Sequence, residues 1–223
     1  MRTMKFWKLP LVMSAVFLLT AAVGPDKETE RINESAEVLV DFSKMKESIP
    51  RELLDKCEGV VIIPKLLNAG LGIGGKRGKG VAMVKLADGK WSNPVFITMT
   101  GGSIGFQAGV QSVDLVLVFK NKGVLAKVNN GDFTIGGDAS VTAGPVGRNS
   151  SASTDHNLEA EIYSYSRSRG AFAGISISGS NLGIDKSSNA NFYVKGITPQ
   201  TIFETEATTD EAVRNLKATL SSL

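Results

Sequence analysis

The chain has 223 residues, 42% of them hydrophobic, with 25 Lys and Arg against 22 Asp and Glu. That is length for one generous domain or two small ones and apolar material for a real core, while 24 glycines without a Gly-X-Y period exclude collagen. The formal charge of +3 is concentrated at the start, where Arg2, Lys5 and Lys8 have no acid beside them, so net charge makes no case for a nucleic-acid partner.

Residues 1–22 have the layout of a secretory signal. The basic start is followed by the apolar stretch Leu9–Val23, and Thr20-Ala21-Ala22 offers small residues for cleavage. The stretch is shorter than the ~20 apolar residues of a membrane-spanning helix, so an uncleaved anchor is the lesser alternative. No cysteine is near this site to carry a lipid, and Cys57, the single cysteine, has no internal disulfide partner. The expectation is a periplasmic or secreted protein of the bacterial envelope, with residues 23–223 forming one domain.

From 28 to 49, Ile32, Ala36, Leu39, Phe42, Met45 and Ile49 recur at three- and four-residue steps, which predicts an amphipathic helix. Its other face is mostly acidic, with Glu30, Glu34, Glu37, Asp41 and Glu47. Pro50 opens a short second helix over 51–58, which Gly59 stops. A β core is expected over 59–196, where 23 of the 24 glycines lie in clusters among short apolar runs. Glycine in β-rich sequence marks bulges, bends and close backbone approaches. Val60–Ile63 forms a strand that Pro64 ends, and Val81–Leu86 and Trp91–Met99 flank the hairpin turn Asp88-Gly89. Leu115–Phe119 is long enough for a buried strand but too short to exclude a helix, and Lys122–Val128 suits a helical turn. The Ser-rich 149–157 reads as a surface loop, alternation over 158–163 as a half-exposed strand, and 171–178 and 191–195 as two more strands. Thr208–Glu211 has capping-box spacing ahead of a closing helix over 209–221 that buries Val213, Leu216 and Leu220.

Gly70-Leu71-Gly72-Ile73-Gly74-Gly75 matches the dinucleotide fingerprint and nearly matches a phosphate-binding loop, but both motifs need a helix directly after them. Gly78 and Gly80 follow instead, so no nucleotide and no cofactor are expected. Lys65, Lys76, Arg77 and Lys79 make the same stretch basic, and such a loop suits anionic headgroups as well as an ordinary solvated tip. Four cations at ~1 kcal/mol each give a dissociation constant near a millimolar, so a second contact is required. The stripe Ile32, Leu39 and Phe42 has to be buried either on the β domain or in that contact, and the acids opposite it argue against insertion. Catalytic and metal chemistry have little material. His156 is the only histidine, Cys57 reads as a small core residue, and the pairs Asp132/Asp138 and Glu159/Glu161 fit turns and an exposed face. Arg167 and Arg169 suit an ordinary solvent-facing edge.

Several separated blocks over roughly residues 30–203 stand in one specific order and spacing. They are Ile49-Pro50 with Leu53-Leu54, then Gly59-Val60-Val61-Ile62-Ile63-Pro64-Lys65, and Trp91-Ser92-Asn93-Pro94 leading to Gly101, Gly109-Val110-Gln111 and Asp114-Leu115-Val116. Gly137-Asp138-Ala139-Ser140, Ala143–Gly147, Tyr163-Ser164 and Gly170–Gly174 complete the series, and together these blocks resemble the SYLF domain family. The resemblance implies a non-enzymatic domain that binds lipid headgroups, with the N-terminal helix and the basic positions taking part, around a glycine-rich β core. An exported protein would meet neither actin nor phosphoinositides, so those ligands do not transfer.

The expected fold is therefore α+β: a glycine-rich, strongly bent antiparallel β barrel or sandwich flanked by N- and C-terminal helices. The expected function is non-enzymatic binding to anionic phospholipid or a membrane surface, through Lys65, Lys76, Arg77 and Lys79 with Ile32, Leu39 and Phe42. The alternative is an envelope structural or interaction module with a protein partner and no lipid ligand.

Overall fold

A computed structural model describes residues 26–45, 48–128, 133–144, 160–168, 171–172 and 175–223. In chain order the elements are α1 (Lys27–Ser43), α2 (Arg51–Lys56), β1 (Gly59–Val84), β2 (Val95–Phe119), α3 (Lys122–Val128), β3 (Phe133–Thr134), β4 (Val141–Ala143), β5 (Ile162–Ser168), β6 (Ala171–Phe172), β7 (Ser180–Ile184), α4 (Lys186–Phe192), α5 (Pro199–Phe203) and α6 (Glu211–Ser222). The class is α+β, and the seven strands form one sheet. Pairing is antiparallel except between β4 and β5, which run parallel.

The sheet is built on one very long hairpin. β1 and β2, 26 and 25 residues, pair from Gly59↔Phe119 to Ala82↔Val95. Asp88-Gly89 makes the turn, with Gly89 at φ +82 and its N–H on Leu86 O. The hairpin then folds back on itself. A Cβ on Gly80 would stand 2.0 Å from Ile62 O, and one on Gly74 2.0 Å from Ala69 O, so the two halves of β1 lie against each other at distances only glycine permits. The crease falls near 70–74, where the register shifts between Leu71 and Gly72 and β2 carries two extra residues. Bulges bend strands in this way. A second shift sits at Pro64-Lys65: the strand runs on through the bulge rather than ending at Pro64. Lys65 takes φ +51 there, and its N–H is held by Asp114 Oδ1 at 2.9 Å.

The strand residues alternate between two packed clusters. Val60, Ile62, Met83, Phe96, Val116 and Val118 face α1, α2 and α6, whereas Val61, Ile63, Ala82, Ile97, Leu115 and Leu117 face α3 and α5. A sheet buried on both sides reads as an unbroken apolar run, as Val60–Ile63 and Leu115–Phe119 do.

α1 ends at Ser43, six residues short of the expected 49, and Asp26 caps its start by accepting from Thr29 N–H. Four other expectations change. β5 begins at Ile162 and its first five residues are buried, because it lies between β2 and β4 inside the sheet. Of the expected strand over 171–178 only the two-residue β6 is strand among the described residues. The expected strand over 191–195 is instead the end of α4 and a turn, since Asp185 accepts from Ser188 N–H and starts a helix. Asp210 rather than Thr208 caps α6, accepting from Val213 N–H at 2.9 Å.

Candidate functional site

The glycine-rich basic stretch is strand, not loop, so the pleat decides where each side chain goes. Positions 73, 75, 77 and 79 are exposed and 76, 78 and 80 are buried. The four expected cations therefore do not form one patch. Lys65 pairs with Glu34 of α1, which holds its pKa above the ordinary lysine value. Lys79 pairs with Asp185 at 2.7 Å. Lys76 is 5% exposed and donates to Ser176 O, and burial pulls its pKa below the ordinary value. Arg77 is exposed and has no described ion pair.

The apolar stripe of α1 packs on the sheet and α6: Ile32 and Leu39 are 0% exposed and Phe42 is 1% exposed. Two of the acids that argued against insertion, Glu34 and Asp41, have partners on the sheet. Arg167 reaches Asp41 at 2.6 Å and Asp114 at 2.8 Å, and Arg31 lies 3.5 Å from Asp185. Arg167 is thus part of a network that holds α1 down, not a free edge cation. Asp185 is its counterpart at the other end of α1. It is buried, caps α4, and accepts from Lys79, Ser187 and Ser188. Burial alone would raise its pKa; those hydrogen bonds outweigh it and hold the carboxyl well below the usual range.

What the crease does display is apolar. Ile73 is 83% exposed, Val110 75% and Leu67 50%. Ala69 pairs with Val110 and Leu67 with Ser112, so Leu67 and Val110 are diagonal neighbours on one face. Ile73 lies across the crease from them, in the segment where Gly74 comes against Ala69 and Gly70. Sequence reasoning missed this trio while looking for apolar surface on the helix. The available signal was the spacing itself, since large apolar residues alternating with glycine across a bulge leave half of them outside.

Cys57 is a core residue, 1% exposed, its thiol donating to Leu54 O at 3.0 Å and pushed up to about 11, chiefly by burial. Asp138 accepts from Thr134 N–H in a turn and Glu161 from Ser140 N–H. Residues 1–22, Asp132, His156, Glu159 and Arg169 lie outside the described residues. Among the described residues there is no group of three or more His, Cys, Asp or Glu that could hold a metal, and no helix is long and apolar enough to cross a membrane.

Fold and surface together define an α+β domain made from a doubled hairpin, with α1 and α6 packed on one face and an apolar crease at one end. The chain belongs to the family described as Ysc84: Las17-binding protein actin regulator, the SYLF family, whose model matches residues 100–223, more than half of the chain. Curated relatives include the SH3 domain-containing YSC84-like protein 1 of Bos taurus, 31% identical over 205 residues covering 89% of this chain and 60% of that protein. The Homo sapiens protein of the same name is 32% identical over 180 residues, covering 78% of this chain and 52% of the relative. The LAS seventeen-binding protein 3 of Saccharomyces cerevisiae is 32% identical over 198 residues, covering 85% and 43%. The chain thus spans between two fifths and three fifths of these relatives. The family description names a binding protein and actin regulator, and the name of the yeast relative a binding protein.

Proposed function

We propose that this chain is a non-enzymatic binding module that docks on an anionic lipid surface through the crease of its long hairpin. The observation that carries the reading is the exposure of Leu67, Ile73 and Val110 together, with Arg77 on the same outward-facing row of β1 as Ile73. Large apolar side chains exposed around one bend mark a contact surface more often than ones scattered singly. Full burial of each is worth ~1.5–3 kcal/mol and a juxtamembrane cation ~1 kcal/mol, so insertion outweighs charge. A half-inserted trio together with the Arg77 cation gives roughly 3–5.5 kcal/mol, a dissociation constant on the order of 1 mM. In this reading Ile32, Leu39 and Phe42 hold α1 in place and touch no lipid, while Lys65 and Lys79 contribute only by exchanging Glu34 and Asp185 for headgroups. With residues 1–22 as a cleaved signal, the surface is a periplasmic leaflet of phosphatidylglycerol or cardiolipin.

Flotation with phosphatidylglycerol liposomes tests this. Ile73→Asp combined with Val110→Asp should abolish flotation and leave the fold intact, because neither side chain is in either core cluster. Arg77→Ala should weaken binding only about fivefold at low salt. Salt should act weakly for the same reason. Wild-type protein that stays with the pellet at low salt would end the reading. The name of the yeast relative supports a second reading, in which the same crease receives a protein; it predicts no flotation and a defined complex that the double substitution breaks.

A further inference from the structure

The buried row of β1 ends, toward the crease, in a polar pair that the contacts above leave unsatisfied. Lys76 stands opposite Gly101 in the β1–β2 ladder, and Gly101 opposite Ser180 in the β2–β7 ladder, so the three lie side by side on one face of adjacent strands. Ser180 is 0% exposed and its hydroxyl has no hydrogen-bond partner among the described residues. Ser180 Oγ lies 2.6 Å from where a Cβ on Gly101 would stand, so it leans over the middle strand toward Lys76. The Lys76 ammonium has three donors, of which one goes to Ser176 O, and no carboxylate pairs with it among the described residues. Ser176 is itself exposed, so the ammonium ends next to the surface rather than deep in the core.

A buried ammonium without a counter-charge and a buried hydroxyl without a partner are each costly. One oxyanion that displaces the packing now covering Ser180 satisfies both, taking charge-assisted hydrogen bonds from the ammonium and a neutral one from the serine. We propose that Lys76 and Ser180 form the inner end of an oxyanion site that takes a phosphate group. The missing side chain of Gly101 keeps the floor between them low, and any larger residue there would meet Ser180. The phosphate is that of a lipid headgroup or a free phosphate ion; the first case deepens the lipid reading above by giving the headgroup a defined seat.

The test is calorimetric titration of the whole chain with inorganic phosphate, with sodium chloride at matched ionic strength as control, beside flotation with phosphatidylglycerol vesicles. Phosphate should bind with a dissociation constant on the order of 1 mM and chloride should not. Lys76→Met should weaken phosphate binding at least about tenfold, and Ser180→Ala by a few-fold. Ser180→Ala removes a hydroxyl that bonds to nothing, so it should fold at least as well as wild type and decides the matter if Lys76→Met does not fold. Weaker flotation of these variants identifies the headgroup as the source; unchanged flotation with lost phosphate binding identifies the free ion. Wild-type protein indifferent to phosphate, with both variants floating normally, overturns this site and leaves the lipid reading standing. Phosphate binding without flotation does the reverse.

Discussion

Gly80→Val is expected to leave no folded protein, and Gly80→Ala to cost most of the stability. A Cβ at this position would stand 2.0 Å from Ile62 O and 2.9 Å from both Ile62 C and Ile63 Cα. Overpacking a core costs ~1–3 kcal/mol where side chains can shift, but here the obstacles are backbone atoms already committed to the β1–β2 ladder. Relief means separating the two halves of the doubled hairpin, against a total stability of roughly 5–15 kcal/mol for a domain. Gly78→Ala should be milder, because its nearest neighbours are the side chains of Ile63 and Leu66. Gly102→Ala is the control: nothing lies within 4 Å of its Cβ position, and the change should stay within about 0.5 kcal/mol. Urea unfolding followed by circular dichroism reads all four, and a Gly80→Ala midpoint equal to wild type would refute the close crossing.

Asp185→Ala should be the most damaging change outside the glycines. The carboxylate is buried, ion-paired to Lys79 and Arg31, and caps α4 through Ser188. Removing one partner from a buried charged network costs roughly 3–5 kcal/mol, since Arg31, its side chain only 12% exposed, is left without a carboxylate. A chain of this size should then melt on the order of 10 °C lower. The pH dependence follows from the depressed carboxyl pKa. The group's contribution is fully present above its unfolded value of about 4 and is lost as pH falls below that toward the folded value. The gap between wild type and Asp185→Ala should therefore be constant from pH 5 to 7 and narrow below pH 4. A gap that widened on acidification would contradict the network.

Much of this architecture was legible because it rests on local rules. The α1 stripe, the Asp88-Gly89 turn and the Asp210 region all announce themselves by spacing or turn chemistry, and α3 occupies the bounds its pattern predicts. What escaped depends on residues far apart in the chain. Pro64 looks like a strand end until Asp114, 49 residues beyond Lys65, is seen to hold the bulge. Asn191–Lys195 looks like a strand because the cap that makes α4 is Asp185, whose own partners Arg31 and Lys79 come from α1 and β1. The basic glycine stretch looks like a loop if its glycines stand for flexibility, but Gly70, Gly74 and Gly80 are places where backbone meets backbone. Once the stretch is strand, alternation sends Lys76 inward and Ile73 and Arg77 outward, and the greasy surface moves from helix to crease.

The central claim is that the crease meets lipid while α1 stays packed. Nitroxide labels at Ile73→Cys and, on the outer face of α1, Val40→Cys separate the two, and Cys57 is too buried and too weakly acidic to compete for the label. With phosphatidylglycerol vesicles added, the label at 73 should gain oxygen accessibility and lose accessibility to a water-soluble nickel relaxant, while the label at 40 keeps its aqueous profile. A label at 73 that stays in water, or one at 40 that enters the bilayer, would contradict the account.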